Sequence, residues 1–384
     1  MRTPLPIALT FCVLAACTDP NSAEKRAEIV KPAPPIAPAT VVPPEPVALG
    51  PVPTLPAIET PLVRAINQAE FGQAAESLTA AEAGSAPTGE PRPDPLVVKA
   101  QVLLDRARFA PGVIDGRQGG NLRLAIMAFE RANDLMADGT LDADTWRRLS
   151  EVDTAPVLVR YVLTAEDVAG PFLGGVPEEM PEQARLEHLG YADATEALAE
   201  KFHMDPKLLK ALNPDADLTV AGAEITVASP RSGVLPEVAR IEVDKSARAV
   251  RAYDASDRLV ALYPASVGSA ELPAPSGTWA VNSVAPEPVY YYDPARLRFG
   301  RAEAKGKLKI AAGPNNPVGS TWIDLTKDTY GIHGSPEPET VGKQQSHGCV
   351  RLTNWDAAEL GRAVKKGVAV VFVGADAAKP TKRG

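Results

Sequence analysis

Ten prolines fall between Pro32 and Pro56, separated mainly by Ala, Val, Ile and Thr. Proline has no amide donor and a fixed φ, which excludes it from helix interiors and central strands. Residues 18–60 therefore cannot build a core and are expected to be disordered or polyproline-II-like. At about 3.1 Å per residue, such a stretch reaches on the order of 120 Å when extended, which suits a tether. The remainder of the 384 residues has room for roughly two or three domains. With 40 Lys and Arg against 48 Asp and Glu, the formal charge is −8 and lacks the basic footprint of a nucleic-acid binder.

The cysteines stand at 12, 17 and 349, too few for a disulfide scaffold. Arg2 precedes an apolar run from Leu5 to Ala16, too short to cross a membrane and suited to a signal peptide. It ends in Leu14-Ala15-Ala16-Cys17, which resembles the bacterial lipobox. That resemblance implies a signal peptide over 1–16, lipidation of Cys17 and a periplasmic protein held to a membrane by lipid. Thr18 in place of Asp favours the outer over the inner membrane. An ordinary signal peptide cut nearby is the plainer alternative. Under the lipobox reading the mature chain keeps one thiol, Cys349.

Residues 17–93 are read as the lipidated cysteine and its tether, with weak helical spacing over 62–83 and a second Pro/Gly break before Pro95. Residues 94–150 read as a small helical unit. Val97, Val98, Gln101, Leu104 and Ala107 make one stripe, and Leu122, Ala125, Ile126 and Phe129 a second. Turns fall at Ile114-Asp115-Gly116 and Asp138-Gly139, and a third helix begins near Asp144-Thr145-Trp146. These residues resemble the three-helix peptidoglycan-binding module. Residues 158–230 read as strand, two helices and strand; Leu212-Asn213-Pro214 and Gly222 resemble a LysM-like glycan-binding unit, with an added segment around 171–190. The alternative is a packing subdomain. His188 and His203 lie there without ligand spacing and are read as structural or surface residues.

From Arg240 the apolar period becomes two. Ile241 and Val243, Ala249 to Tyr253, Leu259 to Tyr263, Trp279 to Val284, Trp322 to Leu325, Tyr330 to Ile332 and Val368 to Val373 read as strands. One helix, Trp355 to Val364, is expected with Asn354 as its cap. Many strands and one helix imply a β-rich domain over 235–374, followed by a tail over 375–384. Two clusters within it carry chemistry: Gly331-Ile332-His333-Gly334-Ser335 and Ser346-His347-Gly348-Cys349-Val350-Arg351-Leu352. A thiol with an unperturbed pKa near 8.5 is mostly protonated at neutral pH. An imidazole corrects this by taking the proton during attack or by forming an ion pair beforehand. His333 lies sixteen positions before Cys349. Cys349 and Arg351, two apart on an extended segment, face one side.

The second cluster together with His333-Gly334 is similar to the signature of the YkuD-type L,D-transpeptidase family. Pro273-Ala274-Pro275-Ser276-Gly277 and Asn316-Pro317-Val318-Gly319 resemble two further motifs of that family. The resemblance implies a multidomain α+β chain whose β-rich catalytic domain follows the helical and LysM-like units. It implies Cys349 as nucleophile and His333 as general base. Ser335, or backbone near Gly334, would orient the imidazole. His347, Gly348 and the Cys349 N–H would surround the oxyanion, and Gly334 and Arg351 would contact substrate. The implied partners are peptidoglycan stem peptides, with a stem amine, an envelope protein or water as acyl acceptor. No cofactor and no metal are expected, and carbapenem-type β-lactams are expected to acylate Cys349.

Rival readings use the same residues. His333, His347 and Cys349 as zinc ligands lack the tight paired spacing of zinc sites. Papain-like and NlpC/P60-like peptidases place Cys before His, the reverse of this order. An L,D-carboxypeptidase shares the first half-reaction, and a non-catalytic wall-tethering lipoprotein would leave Cys349 inert.

Overall fold

The computed structural model describes residues 55–72, 92–269, 272–293, 306–346 and 348–375. The signal peptide, Cys17, residues 18–54 of the tether, the 73–91 break, His347 and the tail from 376 lie outside the described residues.

The expected tether is shorter than the sequence suggests. Strand β1 (Leu55–Pro56) pairs antiparallel with Val159 and Arg160, and helix α1 (Pro61–Asn67) buries Leu62, Val63 and Ile66. Each of these aliphatic side chains contributes roughly 1.5–3 kcal/mol on burial, which holds so short a helix in place. Thr60 caps it and Pro61 opens it. The helical unit follows as α2 (Pro95–Arg106), α3 (Gly120–Ala132) and α4 (Ala143–Ser150). Both Asp-Gly turns are held by buried side chains from the helices. Gln101 accepts from the N–H groups of Asp115 and Gly116 and donates to the Asp115 carboxylate at 2.8 Å. Glu130 accepts from the Gly139 N–H at 2.8 Å and from the Thr145 hydroxyl at 3.0 Å.

Next come β2 (Leu158–Val162), the short helices α5 (Ala165–Ala169) and α6 (Met180–Gln183), α7 (Ala194–Lys201), α8 (Pro206–Leu212) and β3 (Glu224–Ala228). The two expected helices, α7 and α8, lie between the strands, with α6 in the added segment around 171–190 and α5 as a further short helix before it. Asn213 ties α8 to β3, donating to the carbonyls of Leu209 and Thr226 and accepting from the Thr226 N–H. Apolar side chains of α1–α4, β2, α7, α8 and β3 form one continuous core that also takes in Ala249 and Leu262 of the C-terminal domain.

The C-terminal domain contains β4 (Arg240–Asp244), β5 (Ala249–Tyr253), β6 (Leu259–Pro264), β7 (Ser266–Val267), β8 (Gly277–Pro286), β9 (Tyr290–Tyr292), β10 (Leu308–Ile310), β11 (Thr321–Leu325), β12 (Gly331–His333), β13 (Val350–Arg351), α9 (Asn354–Ala363) and β14 (Ala369–Val373). Nine strands form one mixed sheet in the order β6-β5-β4-β14-β8-β11-β12-β13-β7. β6 and β7 are joined by Ala265 alone yet occupy opposite ends of that order, so the sheet must curl back on itself. Helix α9 packs Ala357, Leu360 and Ala363 into the second core with Ile323, Ile332 and Val350. Thr353, not Asn354, is its cap, accepting from the Asp356 N–H at 3.2 Å. That frees Asn354 for other contacts. β9 and β10 pair as a separate two-stranded sheet.

A buried ion network joins the three units. Arg231 donates to Asp105 of α2, to Asp356 of α9 at 2.5 Å and to Glu359 of α9 at 3.0 Å. The Tyr263 hydroxyl donates to Glu359 at 2.7 Å, and the His203 ring lies 3.2 Å from Asp105. Burial opposes the charge on Asp105, but Arg231 and His203 outweigh it and hold the carboxylate below its ordinary range.

Candidate active site

β11, β12 and β13 align Trp322 with His333 and His333 with Arg351, and β7 adds Ser266 beside Arg351. One position along each strand, Ile323, Ile332, Val350 and Val267 point into the second core. Alternation therefore puts Trp322, His333 and Arg351 together on the opposite face. Cys349, immediately before Val350, shares that face and by continuing the register lies next to Gly331. Strand spacing puts its Cα about 8 Å from that of His333, close enough for the side chains to meet.

His333 is 4% exposed, and its ring stacks on Trp322 with centroids 5.4 Å apart. Its Nδ1 lies 2.7 Å from the Gly334 carbonyl, so Nδ1 carries the proton and Nε2 keeps its lone pair. Burial and then the nearby Arg351 guanidinium push the ring down to about 3, although the carbonyls of Gly334 and Val318 pull the other way. The imidazole is therefore neutral throughout the neutral range. Cys349 is partly exposed, and its Sγ is 3.8 Å from the Thr329 carbonyl. Burial pushes the thiol up, while the Gly331 N–H and Arg351 pull it down by less. A neutral ring beside a protonated thiol fits proton removal during attack better than a preformed ion pair.

The turn before Cys349 is clamped by Ser346. This buried hydroxyl donates to the Cys349 carbonyl and accepts from the Gly348 N–H at 3.3 Å. Gly348 has φ +115°, a left-handed conformation that side chains rarely adopt. Tyr290 of β9 lies within electrostatic reach of Cys349 and Arg351. Burial raises its hydroxyl pKa most, followed by the charges of Cys349 and Tyr292.

Of the two orienting groups expected at the imidazole, the Gly334 carbonyl lies 2.7 Å from Nδ1, and the buried Ser335 hydroxyl instead accepts from the Glu337 N–H at 3.2 Å. Gly334 does not open space for substrate at its Cα. A Cβ there would come within 2.2 Å of Asn354 Oδ1, so the missing side chain accommodates Asn354. Cys349, His333 and Arg351 are brought to one face; His347 lies outside the described residues. Among the described residues no His, Cys, Asp and Glu cluster is arranged to hold a metal ion. The sequence reading assigned no role to Trp322, Ser346 or Tyr290. Only Ser346, inside the motif, and the Tyr290-Tyr291-Tyr292 run gave any signal.

Residues 238–373 match the family model of the L,D-transpeptidase catalytic domain, YkuD, and residues 93–149 match a peptidoglycan binding domain. The C-terminal unit is thus an L,D-transpeptidase catalytic domain. It belongs to the YkuD family and follows a peptidoglycan-binding domain in the same chain. A Bacillus licheniformis protein named as the L,D-transpeptidase YkuD is 29% identical over 181 residues, covering 46% of this chain and 92% of its own length. The ErfK/SrfK protein of Salmonella typhimurium, named for the same activity, is 27% identical over 183 residues, covering 46% of this chain and 59% of its own. The solved L,D-transpeptidase from Mycobacterium smegmatis aligns at 19% identity and a TM-score of 0.29, over 42% of this chain and 77% of that one.

Proposed function

We propose that the chain is an L,D-transpeptidase that forms 3–3 crosslinks in peptidoglycan or links envelope proteins to it. The observation that carries this reading is the shared face of His333 and Arg351 on two adjacent strands, with Cys349 immediately before the second. The donor is a stem tetrapeptide ending in D-Ala on the L-centre of a diamino acid. Cys349 Sγ attacks that carbonyl as His333 Nε2 takes the thiol proton. Backbone N–H groups around Gly348 and Cys349 hold the oxyanion. The C–N bond then breaks, D-Ala leaves with the proton from His333, and a thioester remains on Cys349. An acceptor amine attacks the thioester, its proton passes to His333 and the thiol is regenerated. Arg351 contacts a substrate carboxylate, and Tyr290 forms a wall of the cleft.

Lipid on Cys17 and residues 18–54 would hold this machinery in the periplasm, with the outer membrane favoured by Thr18. The 93–149 domain would grip the wall, and the 158–230 unit would add a second, LysM-like contact to glycan. The test incubates the chain with tetrapeptide muropeptides and follows products by mass spectrometry. D-Ala release and 3–3 dimers are expected from wild type and from neither Cys349→Ala nor His333→Ala. Equal product from Cys349→Ala would end the reading. Palmitate labelling is expected to disappear in Cys17→Ser, and unchanged labelling would remove the anchor.

A further inference from the structure

The segment 158–230 lies outside both family matches, yet it reaches the back of the catalytic histidine. We propose that Glu200 of α7 and the buried Asn354 of α9 form a positioning pair that holds the turns flanking His333. This makes α7 a working part of the transferase site, and it rests on the acyl-transfer reading above.

The Asn354 carboxamide is 2% exposed and engaged at both ends. Its Nδ2 donates to Glu200 Oε1 at 3.1 Å, to Glu200 Oε2 at 3.0 Å and to the Pro314 carbonyl at 3.1 Å. Its Oδ1 accepts from the Ser320 N–H at 3.1 Å. A carboxylate only accepts, so Glu200 dictates which end of the carboxamide faces it. The oxygen is thereby aimed at Ser320, and into the space left by two glycines. A Cβ on Gly319 or Gly334 would come within 2.1 or 2.2 Å of that oxygen. Gly334 supplies the carbonyl that takes the His333 Nδ1 proton, and the carbonyl of Val318, next to Gly319, also favours a proton on the ring.

The other side of this loop is gripped by the same segment. Leu189 exchanges backbone hydrogen bonds with Ala312 and Asn315 at 2.8 and 3.0 Å. Asn315 Nδ2 donates to the Gly190 carbonyl and to Glu196 Oε1 at 2.9 and 3.0 Å. Contacts thus run without a break from α7 through Asn354 and the 312–320 loop to the imidazole.

Burial raises Glu200 to about 7, with Glu196 and Glu287 adding repulsion, while Asn354 and the Tyr191 hydroxyl, 2.9 Å from Oε1, oppose the rise. His188 faces Glu287 in turn. Protonation of Glu200 would leave one good acceptor where the carboxylate has two, weakening its hold on Asn354 from the acid side.

The experiment uses the full chain in detergent, with kcat and KM for D-Ala release expressed per titrated Cys349 thiol. Glu200→Ala is expected to lower kcat about ten-fold with KM within two-fold. Glu200→Gln, which still accepts from Asn354, is expected within about three-fold of wild type, without the acid-side decline near pH 7. Asn354→Asp, which sets two carboxylates against each other, is expected to match Glu200→Ala. The double variant Glu200→Ala/Asn354→Asp is expected to be no worse than either single one. Unchanged kcat in all variants, or a loss confined to thiol titre or KM, overturns the proposal alone. Absence of D-Ala release from wild type overturns the acyl-transfer reading and this proposal with it. If Glu200→Ala does not fold, the isosteric Glu200→Gln pH profile and the Asn354→Asp kcat decide.

Discussion

His203 stacks on Trp355 with centroids 4.9 Å apart, and His333 stacks on Trp322 at 5.4 Å. Both rings are buried, at 5% and 4% exposure. Their neighbours differ in sign. His203 faces Asp105 and helps hold that carboxylate ionised within the Arg231 network. His333 faces the Gly334 carbonyl and the Arg351 guanidinium, which disfavours a charged ring. A histidine among carboxylates joins domains, whereas one kept neutral beside a cation is available to accept a proton. Burial and aromatic stacking do not distinguish these roles; the charge alongside does.

The largest expected effect separates the two rings. His333→Ala should lower kcat for D-Ala release per folded molecule by about 10²–10⁴-fold, beside the stability cost of deleting a buried ring. His203→Ala should carry a stability cost with kcat per folded molecule retained, and an equal kcat loss in both variants would break the comparison. The arginines come next. Arg231→Met leaves buried carboxylates without their cation and should cost about 3–5 kcal/mol in urea unfolding. Arg351→Met should stay within about 1 kcal/mol of wild type in that assay. It should instead raise KM about ten-fold by losing a charged hydrogen bond to substrate.

Acid sensitivity sharpens the contrast further. The folded pKa of His333, about 3, lies below its ordinary value of 6.5. Its contribution to stability is therefore complete above about pH 6.5 and is lost as pH falls toward 3. Chemical denaturation across that window should show a shallower acid loss in His333→Gln than in wild type. The smallest effect concerns the indoles. Trp322→Phe and Trp355→Phe should each cost about 1 kcal/mol, and only Trp322→Phe should also lower kcat.

Much of the catalytic face was legible in sequence because a period of two, glycines and the motif residues coincide there. Cys349, His333 and Arg351 needed only strand alternation and adjacency. Their supports were hidden for identifiable reasons. The orienting group at His333 is a backbone carbonyl, which no side chain advertises, so the sequence left it open between Ser335 and the backbone near Gly334. Trp322 enters through cross-strand register, and Glu200 through a contact 154 positions from Asn354 in the chain. The α1 segment looked like tether because its prolines and short apolar run give no sign of the partner surface that buries Leu62, Val63 and Ile66. The helix cap at Thr353 was missed by one residue because Asn354 is also a good cap by type.

The continuous core formed by α1–α4 with the 158–228 elements has a practical corollary. Excising residues 94–150 would remove Phe109 and Ile114 and so bare Leu262 and Met204, their partners in strand-like bridges. Such a truncation would report collapse of the molecule rather than loss of grip on the sacculus. Adhesion and chemistry must instead be dissected by single substitutions on solvent-facing positions. Nature, in shaping this chain, faced the same restriction: the two halves could not be shuffled as loose cassettes.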